Sequence, residues 1–308
     1  MLRSNIIFNS FWRNNMYPWL EPTIEQLCDR AQRHKLHHAL LLQGAQGIGK
    51  TEFAQFLGRF LLCSRRQSNS PCNECQSCLL LAAGTHPDLY EIISDKQIGV
   101  DSIRESIRKL SGSSQLSGAK VLVIHGAHTM TESSANALLK TLEEPTNNTF
   151  LLLLTHKPER LLATIRSRCE KVVLPSPKVE TCVNWLSAQG FTTVDPALLS
   201  MYVSSPLILL ERLNHPPPIT YQDLLEGIDS LRQGNIGTAE LATKWQEHGE
   251  TVVKWLQYWL AEQMKQQPQR PEMLWAMHQA SISAARQLAN PGINKTLLLA
   301  NVLQHLLT

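Results

Sequence analysis

The stretch GAQGIGKT, residues 44–51, puts Gly44, Gly49, Lys50 and Thr51 at the fixed positions of the phosphate-cradling pattern G-x-x-x-x-G-K-[ST]. No other feature constrains the fold as much. The pattern works only where a strand delivers the glycine loop and a helix leaves it, so that loop N–H groups and the positive helix end face an anion. Both flanks are present. HALLLQ (38–43) is a short apolar run, and KTEFAQFLGRFLL carries Phe53, Phe56, Leu57, Phe60 and Leu61 at helical spacing. In such a loop Gly44, Gly47 and Gly49 let the backbone wrap. Lys50 reaches the β- and γ-phosphates, and the Thr51 hydroxyl ligates Mg²⁺. These residues form the candidate nucleotide site, with ATP and Mg²⁺ as its candidate ligands.

Alternation continues downstream. LYEII (89–93), KVLVIH (120–125), TFLLLLT (149–155) and EKVVL (170–174) read as further strands. Between them, GVDSIRESIRKL places Ile103, Ile107 and Leu110 on one helix face with Asp101 as its cap, and TESSANALLKTLEEP is a helix stopped by Pro145. Strands apolar on both faces and separated by helices predict a parallel sheet covered on both sides. The expected architecture is an α/β P-loop domain over residues 1–175, a linker at LPSPK, a small helical domain over 176–214 and an all-α domain over 215–308. HPPP (215–218) marks the second break, and helices are expected at 220–233, 237–248, 250–267, 271–289 and 293–307. Residues 1–15 make a poor signal peptide and are given no role; Met16 is an alternative start.

Seven cysteines without a secretion signal point to a reducing compartment, where clustered thiols bind metal more often than they form disulfides. Cys63, Cys72, Cys75 and Cys78 form C-x₈-C-x₂-C-x₂-C, the spacing of a structural four-thiolate Zn²⁺ site, one per chain. This insert, 63–78, is anchored to the end of the phosphate-loop helix. Cys28, Cys169 and Cys182 are isolated and read as core. A net charge of +3 is too mild to argue for a dedicated nucleic-acid surface. No apolar run approaches the roughly 18 residues of a membrane span, so a cytoplasmic protein without a membrane partner is expected.

In ATPases of this architecture a strand beside the phosphate loop ends in an Asp for the Mg²⁺ shell and often a Glu that polarises water. Here the strand VLVIH ends in His125 and Gly126. Imidazole is a poor ligand for Mg²⁺, and glycine offers no base. His125 is expected to be a strand-end residue without function, and His128 a solvent-facing loop residue.

GTHPD (84–88), ANALLKTLEEP (135–145), LLATIRSRC (161–169) and the cysteine spacing together resemble the delta-prime type of bacterial DNA polymerase III clamp-loader subunits, within the AAA+ family. The resemblance covers residues 17 to about 175, with a fainter echo in GINKTLLL (292–299). It implies a hetero-pentameric ring with gamma/tau-type and delta-type subunits that opens a sliding clamp and places it on primed DNA. It also implies that 176–214 is a lid and that the helices from about 215 form a collar, with Trp255 and Trp259 as core or subunit contacts. Active gamma/tau subunits have an acidic pair where this chain has His125 and Gly126. Their neighbours insert an arginine from an S-R-C motif, which makes Arg168, between Ser167 and Cys169, the candidate arginine finger acting in trans. Arg160 and Arg166 lack that context and are expected in solvent.

The chain departs from the pattern twice. Its phosphate loop is intact where several family members have a degraded one, which leaves nucleotide binding open. The lid helix SSPLILLERL (204–213) has no arginine in its first turns, and Arg212 comes late. The expected function is a non-hydrolysing clamp-loader subunit. The rival readings are an active gamma-type ATPase and a zinc-dependent nucleic-acid-binding module whose insert carries Arg65 and Arg66.

Overall fold

The structure, a computed structural model, describes residues 16–116, 118–266, 271–288, 290 and 292–307. The readings made for residues 1–15 lie outside them. The described chain divides into two compact units. One runs to Val194 and includes Tyr202–Leu210; the other takes Asp195–Met201 and everything from Glu211. The segment 176–214 contributes to both.

In the first unit the chain runs α1 (Glu21–Gln32), β1 (Ala39–Gln43), α2 (Lys50–Leu62), α3 (Gln76–Ala82), β2 (Leu89–Ile92), α4 (Val100–Ser111), β3 (Lys120–Ile124), α5 (Glu132–Glu143), β4 (Thr149–Thr155), α6 (Ala163–Arg166) and β5 (Glu170–Val173). All neighbouring strands are parallel, in the order β2-β3-β4-β1-β5. The central strands carry leucine, valine and isoleucine on both faces because helices cover both. Leu41, Leu122, Ile124, Leu151 and Leu153 pack on one side with Ile103, Leu110, Leu138 and Leu142 of α4 and α5. On the other side α2 comes close through Gly58, where an added Cβ would stand 3.6 Å from Val121. Each such buried side chain contributes about 1.5–3 kcal/mol.

Asp101 does not cap α4. The helix begins one residue earlier, with Gly99 as its extended cap and no side-chain cap bond, and Asp101 sits in the first turn, where its charge favours the helix dipole. By contrast Thr131 caps α5 by accepting the Ser134 N–H. The second strand stops at Ile92, leaving Ile93 69% exposed. Cys28, Cys169 and Cys182 are buried, as expected of core thiols.

After β5 come α7 (Val179–Ala188), α8 (Pro196–Tyr202) and α9 (Pro206–Asn214). The second unit then adds α10 (Tyr221–Arg232), α11 (Thr238–Trp245), α12 (Gly249–Gln266), α13 (Pro271–Leu288) and α14 (Lys295–Gln304), close to the spans expected from periodicity. Thr220 and Asp223 form a reciprocal capping box at the start of α10, and Asn294 caps α14. Trp245, Trp255 and Trp259 lie in this unit's core. Gly227 is required there, because a Cβ would meet the Trp245 ring at 2.5 Å.

Candidate functional site

The phosphate loop leaves the end of β1 and turns into α2. Gly47 has φ 73° and Gly49 φ 101°, the left-handed backbone that favours glycine. Gly49 is the N-cap of α2 and supplies no side-chain cap to the helix N–H groups, although the Glu52 carboxylate accepts from its own N–H in that first turn. The Lys50 ammonium folds back and donates to the Gly44 and Ala45 carbonyls at 3.0 and 2.7 Å. Burial lowers its pKa from 10.5 to about 8.

The loop is covered by residues that its sequence pattern does not announce. The Tyr17 ring lies against Gly49, where an added Cβ would stand 2.4 Å from it. Tyr17 stacks on Trp19 with ring centroids 5.0 Å apart, and both meet Trp185 of α7 edge-on. The Trp19 indole donates to the Ile48 carbonyl at 2.9 Å. From α9, Leu207 donates its N–H to the Gly47 carbonyl at 3.0 Å, and Ile208 packs over the same glycine.

Strand order puts β4 between β1 and β3, so the ends of all three strands line one edge of the sheet. His125, at the end of β3, is only 14% exposed and pairs with Glu91 at 3.1 Å. Gly126 follows in left-handed backbone. The end of β3 therefore presents no side-chain oxygen to a magnesium ion, and the residues there do not fit the acidic half of a hydrolytic site. His128 is not solvent-facing as expected. It is half-buried, its Nδ1 lies 3.1 Å from the Thr155 hydroxyl, and its ring meets His156 edge-on. Burial, then the nearby cations Lys157 and Arg160, hold His128 below the usual histidine range. Burial lowers His156 to about 4. Thr155, the polar residue that ends β4 after four leucines, was the available signal for this cluster.

Arg168 follows α6 and is partly exposed. Its Nε donates to Glu143 Oε1 at 2.6 Å, its Nη2 pairs with the same oxygen, and its Nη1 donates to the Thr164 carbonyl at 3.0 Å. The Ser167 hydroxyl donates to that carbonyl at 3.1 Å. Arg160 is exposed as expected, whereas Arg166 is half-buried with its Nε lacking a hydrogen-bond partner among the described residues. Arg212 turns into the helical unit, where it donates to Thr251 and lies over the Trp255 ring.

The four clustered cysteines converge. All four sulfurs lie within 4.8 Å of one another, with 3.6 Å from Cys63 to Cys72, 3.9 Å from Cys63 to Cys75 and 4.0 Å from Cys72 to Cys78. Sulfurs placed about 2.3 Å from one tetrahedral ion would stand about 3.8 Å apart. The donor set fits a zinc-like ion. The Cys72 and Cys75 N–H groups donate to sulfur at 3.3 Å, and Asn73 supplies the left-handed turn between them.

A family model described as DNA polymerase III, delta subunit, matches residues 19–178. The DNA polymerase III subunit delta' of Yersinia pestis is 34% identical over 325 aligned positions, covering 94% of this chain and 94% of that protein. The protein of the same name from Escherichia coli K12 is 43% identical over 192 positions, covering 61% of this chain and 58% of its own length. Among solved structures, a DNA polymerase III gamma subunit-related protein from Thermotoga maritima superposes with a TM-score of 0.51 at 18% identity, over 93% of this chain and 98% of that one. At that identity the likeness concerns the fold alone. No helix among the described residues is long and apolar enough to cross a membrane.

Proposed function

The chain belongs to the DNA polymerase III delta-prime family, and on that premise we propose that it is a non-hydrolysing member of the clamp-loader ring, alongside gamma/tau-type and delta-type subunits. One observation carries the reading: a complete phosphate loop faces a strand whose end offers His125 and Gly126 instead of acids. Without an oxygen ligand there to hold magnesium, and without a base to polarise water, a bound nucleotide would stay intact. The loop acts as a packed joint beneath Tyr17 and Ile208. Its Lys50, Thr51 and glycines would hold a nucleotide's phosphates only after the lysine leaves the two carbonyls it now binds.

In this reading residues 1–175 form the AAA+ body, 176–214 the lid and 215–308 the collar that holds the pentamer together. Zn²⁺, held by Cys63, Cys72, Cys75 and Cys78, would fix a module with little core of its own. Arg168 is the finger. Its guanidinium would neutralise charge developing on the γ-phosphoryl group in a neighbouring subunit's site during opening of the sliding clamp at primed DNA.

The test is to compare steady-state ATP hydrolysis by the isolated chain with DNA-stimulated hydrolysis by the reconstituted ring. Negligible turnover alone is expected. With Arg168→Ala the ring should assemble and the chain should melt normally, while turnover at the site it serves falls by roughly 10³–10⁵ and ring turnover by less. Robust hydrolysis by the isolated chain that disappears in Lys50→Ala would replace this reading with an active ATPase.

A further inference from the structure

Glu143 is separated from Arg168 by the whole of β4, yet the fold brings the two together. Their backbones are anchored by the core. Leu142, beside Glu143, is 2% exposed, and its carbonyl receives a bond from His38 Nε2 at 2.8 Å. Ile165 is fully buried and Cys169 nearly so. The Arg168 N–H donates to the Ile165 carbonyl at 3.1 Å. Two rigid supports therefore hold a pair whose charged ends reach solvent, with side-chain exposures of 33% for Arg168 and 49% for Glu143.

At that exposure an ion pair contributes little to folding. What it does is orient. A guanidinium has five N–H donors in a planar fork. Nε donates to Glu143 Oε1, Nη2 lies in ion-pair contact with the same oxygen, and Nη1 donates to the Thr164 carbonyl. Among the described residues Nη2 has no hydrogen-bond acceptor beyond that contact, and Nη1 makes one further, long 3.5 Å contact to the Ser167 hydroxyl. Nη1 and Nη2 are the end-on pair of the fork, the geometry that matches two oxygens of a phosphoryl group.

We propose that Glu143 is a positioning residue for Arg168, holding its guanidinium from the side so that the end-on N–H pair is presented to a phosphoryl oxygen pair on a neighbouring subunit. The inference rests on the reading of Arg168 as the finger. A free arginine would sample many rotamers and lose that freedom in the transition state; one already braced loses less. The effect of Glu143 should therefore fall on turnover and not on nucleotide affinity.

The experiment uses the full ring with Glu143→Ala, Glu143→Gln, Arg168→Ala and the double variant Glu143→Ala/Arg168→Ala. The measurements are chain melting, kcat and KM for ATP. Glu143→Ala should lower kcat about tenfold with KM and melting unchanged. Glu143→Gln, which keeps an acceptor oxygen without the charge, should lie between it and the parent. The double variant should be no slower than Arg168→Ala alone, because a brace has no effect once the braced group is gone. If Arg168→Ala leaves kcat intact, the finger reading itself fails. If Arg168→Ala is slow while Glu143→Ala is normal, only the brace is wrong. A faster Glu143→Ala ring would make the carboxylate a latch and overturn the proposal, as would additive losses in the double variant.

Discussion

Gly49→Ala tests whether the phosphate loop is a packed joint. Two penalties add. The backbone there has φ 101°, which an L-residue adopts at a cost of about 1–3 kcal/mol. The new methyl would also stand 2.4 and 2.5 Å from two Tyr17 ring carbons and 3.3 Å from Leu20 Cδ1. Tyr17 has nowhere simple to go, since it is 6% exposed, stacked on Trp19 and edge-on to Trp185. Overpacking of this kind costs about 1–3 kcal/mol. The expected loss is about 2–6 kcal/mol, or a fall in melting temperature of roughly 2–4 °C per kcal/mol for a unit of this size. Thermal and urea unfolding by circular dichroism would measure it. Tyr17→Leu vacates the ring's edge, so Gly49→Ala should cost about 1–3 kcal/mol less in that background. A loss under about 0.5 kcal/mol, or strict additivity of the two changes, would refute the packing argument.

Three other outcomes are expected. Lys50 has its pKa lowered by burial to about 8, so its charged form is disfavoured in the folded chain. The unfolded state binds more protons between about pH 8 and 10.5, and wild-type stability should rise across that window. Lys50→Met should therefore be more stable at pH 7 by on the order of 1–2 kcal/mol after allowance for partial exposure, with the advantage gone by pH 10.5 in pH-dependent unfolding. Metal analysis should find close to one zinc per chain, and Cys75→Ser should lose metal and melt lower; full zinc at unchanged melting would reject the four-thiolate site. Asp88 is 1% exposed and accepts bonds from the Ser114 hydroxyl and the Gln115 and Leu116 N–H groups. Asp88→Asn turns one of its two acceptors into a donor and should cost about 1–3 kcal/mol in urea unfolding; a change below about 0.5 kcal/mol would count against this bonding.

The sheet was legible because its strands are continuous apolar runs, and a chain covered on both faces has no reason to alternate. TFLLLLT became β4 from end to end, Thr149–Thr155. The C-terminal helices were legible as a run of helical segments following the break at HPPP. Asp101 misled because its residue type suits a cap while Gly99, with no side chain to signal anything, does the work through extended backbone. Tyr17, Trp19, Trp185 and Ile208 could not be read as loop partners. Aromatic and aliphatic residues are ordinary core material, and nothing local says which surface they meet. The same holds for Glu143 and Arg168, since an ion pair 25 positions apart leaves no spacing to recognise. His128 looked exposed because it follows a glycine turn, but the strand beside it brings Thr155 and His156 against its ring.

The β3 ladder with β4 ends at the pairing of Ile124 with Leu153, and His125 extends past it with its backbone N–H bonded to the Ile92 carbonyl and its ring paired with Glu91. A change at position 125 trades a histidine–glutamate pair and leaves the leucine ladder of β3 and β4 intact, so chemistry at this edge can be lost while the scaffold stands, although Gly126, in left-handed backbone, is less free to vary. The loop after β1 has no such freedom, being wedged between an aromatic stack and an isoleucine. One end of the sheet is open to drift and the neighbouring end is clamped, and a molecule built that way can stop being a machine and continue as a part of one.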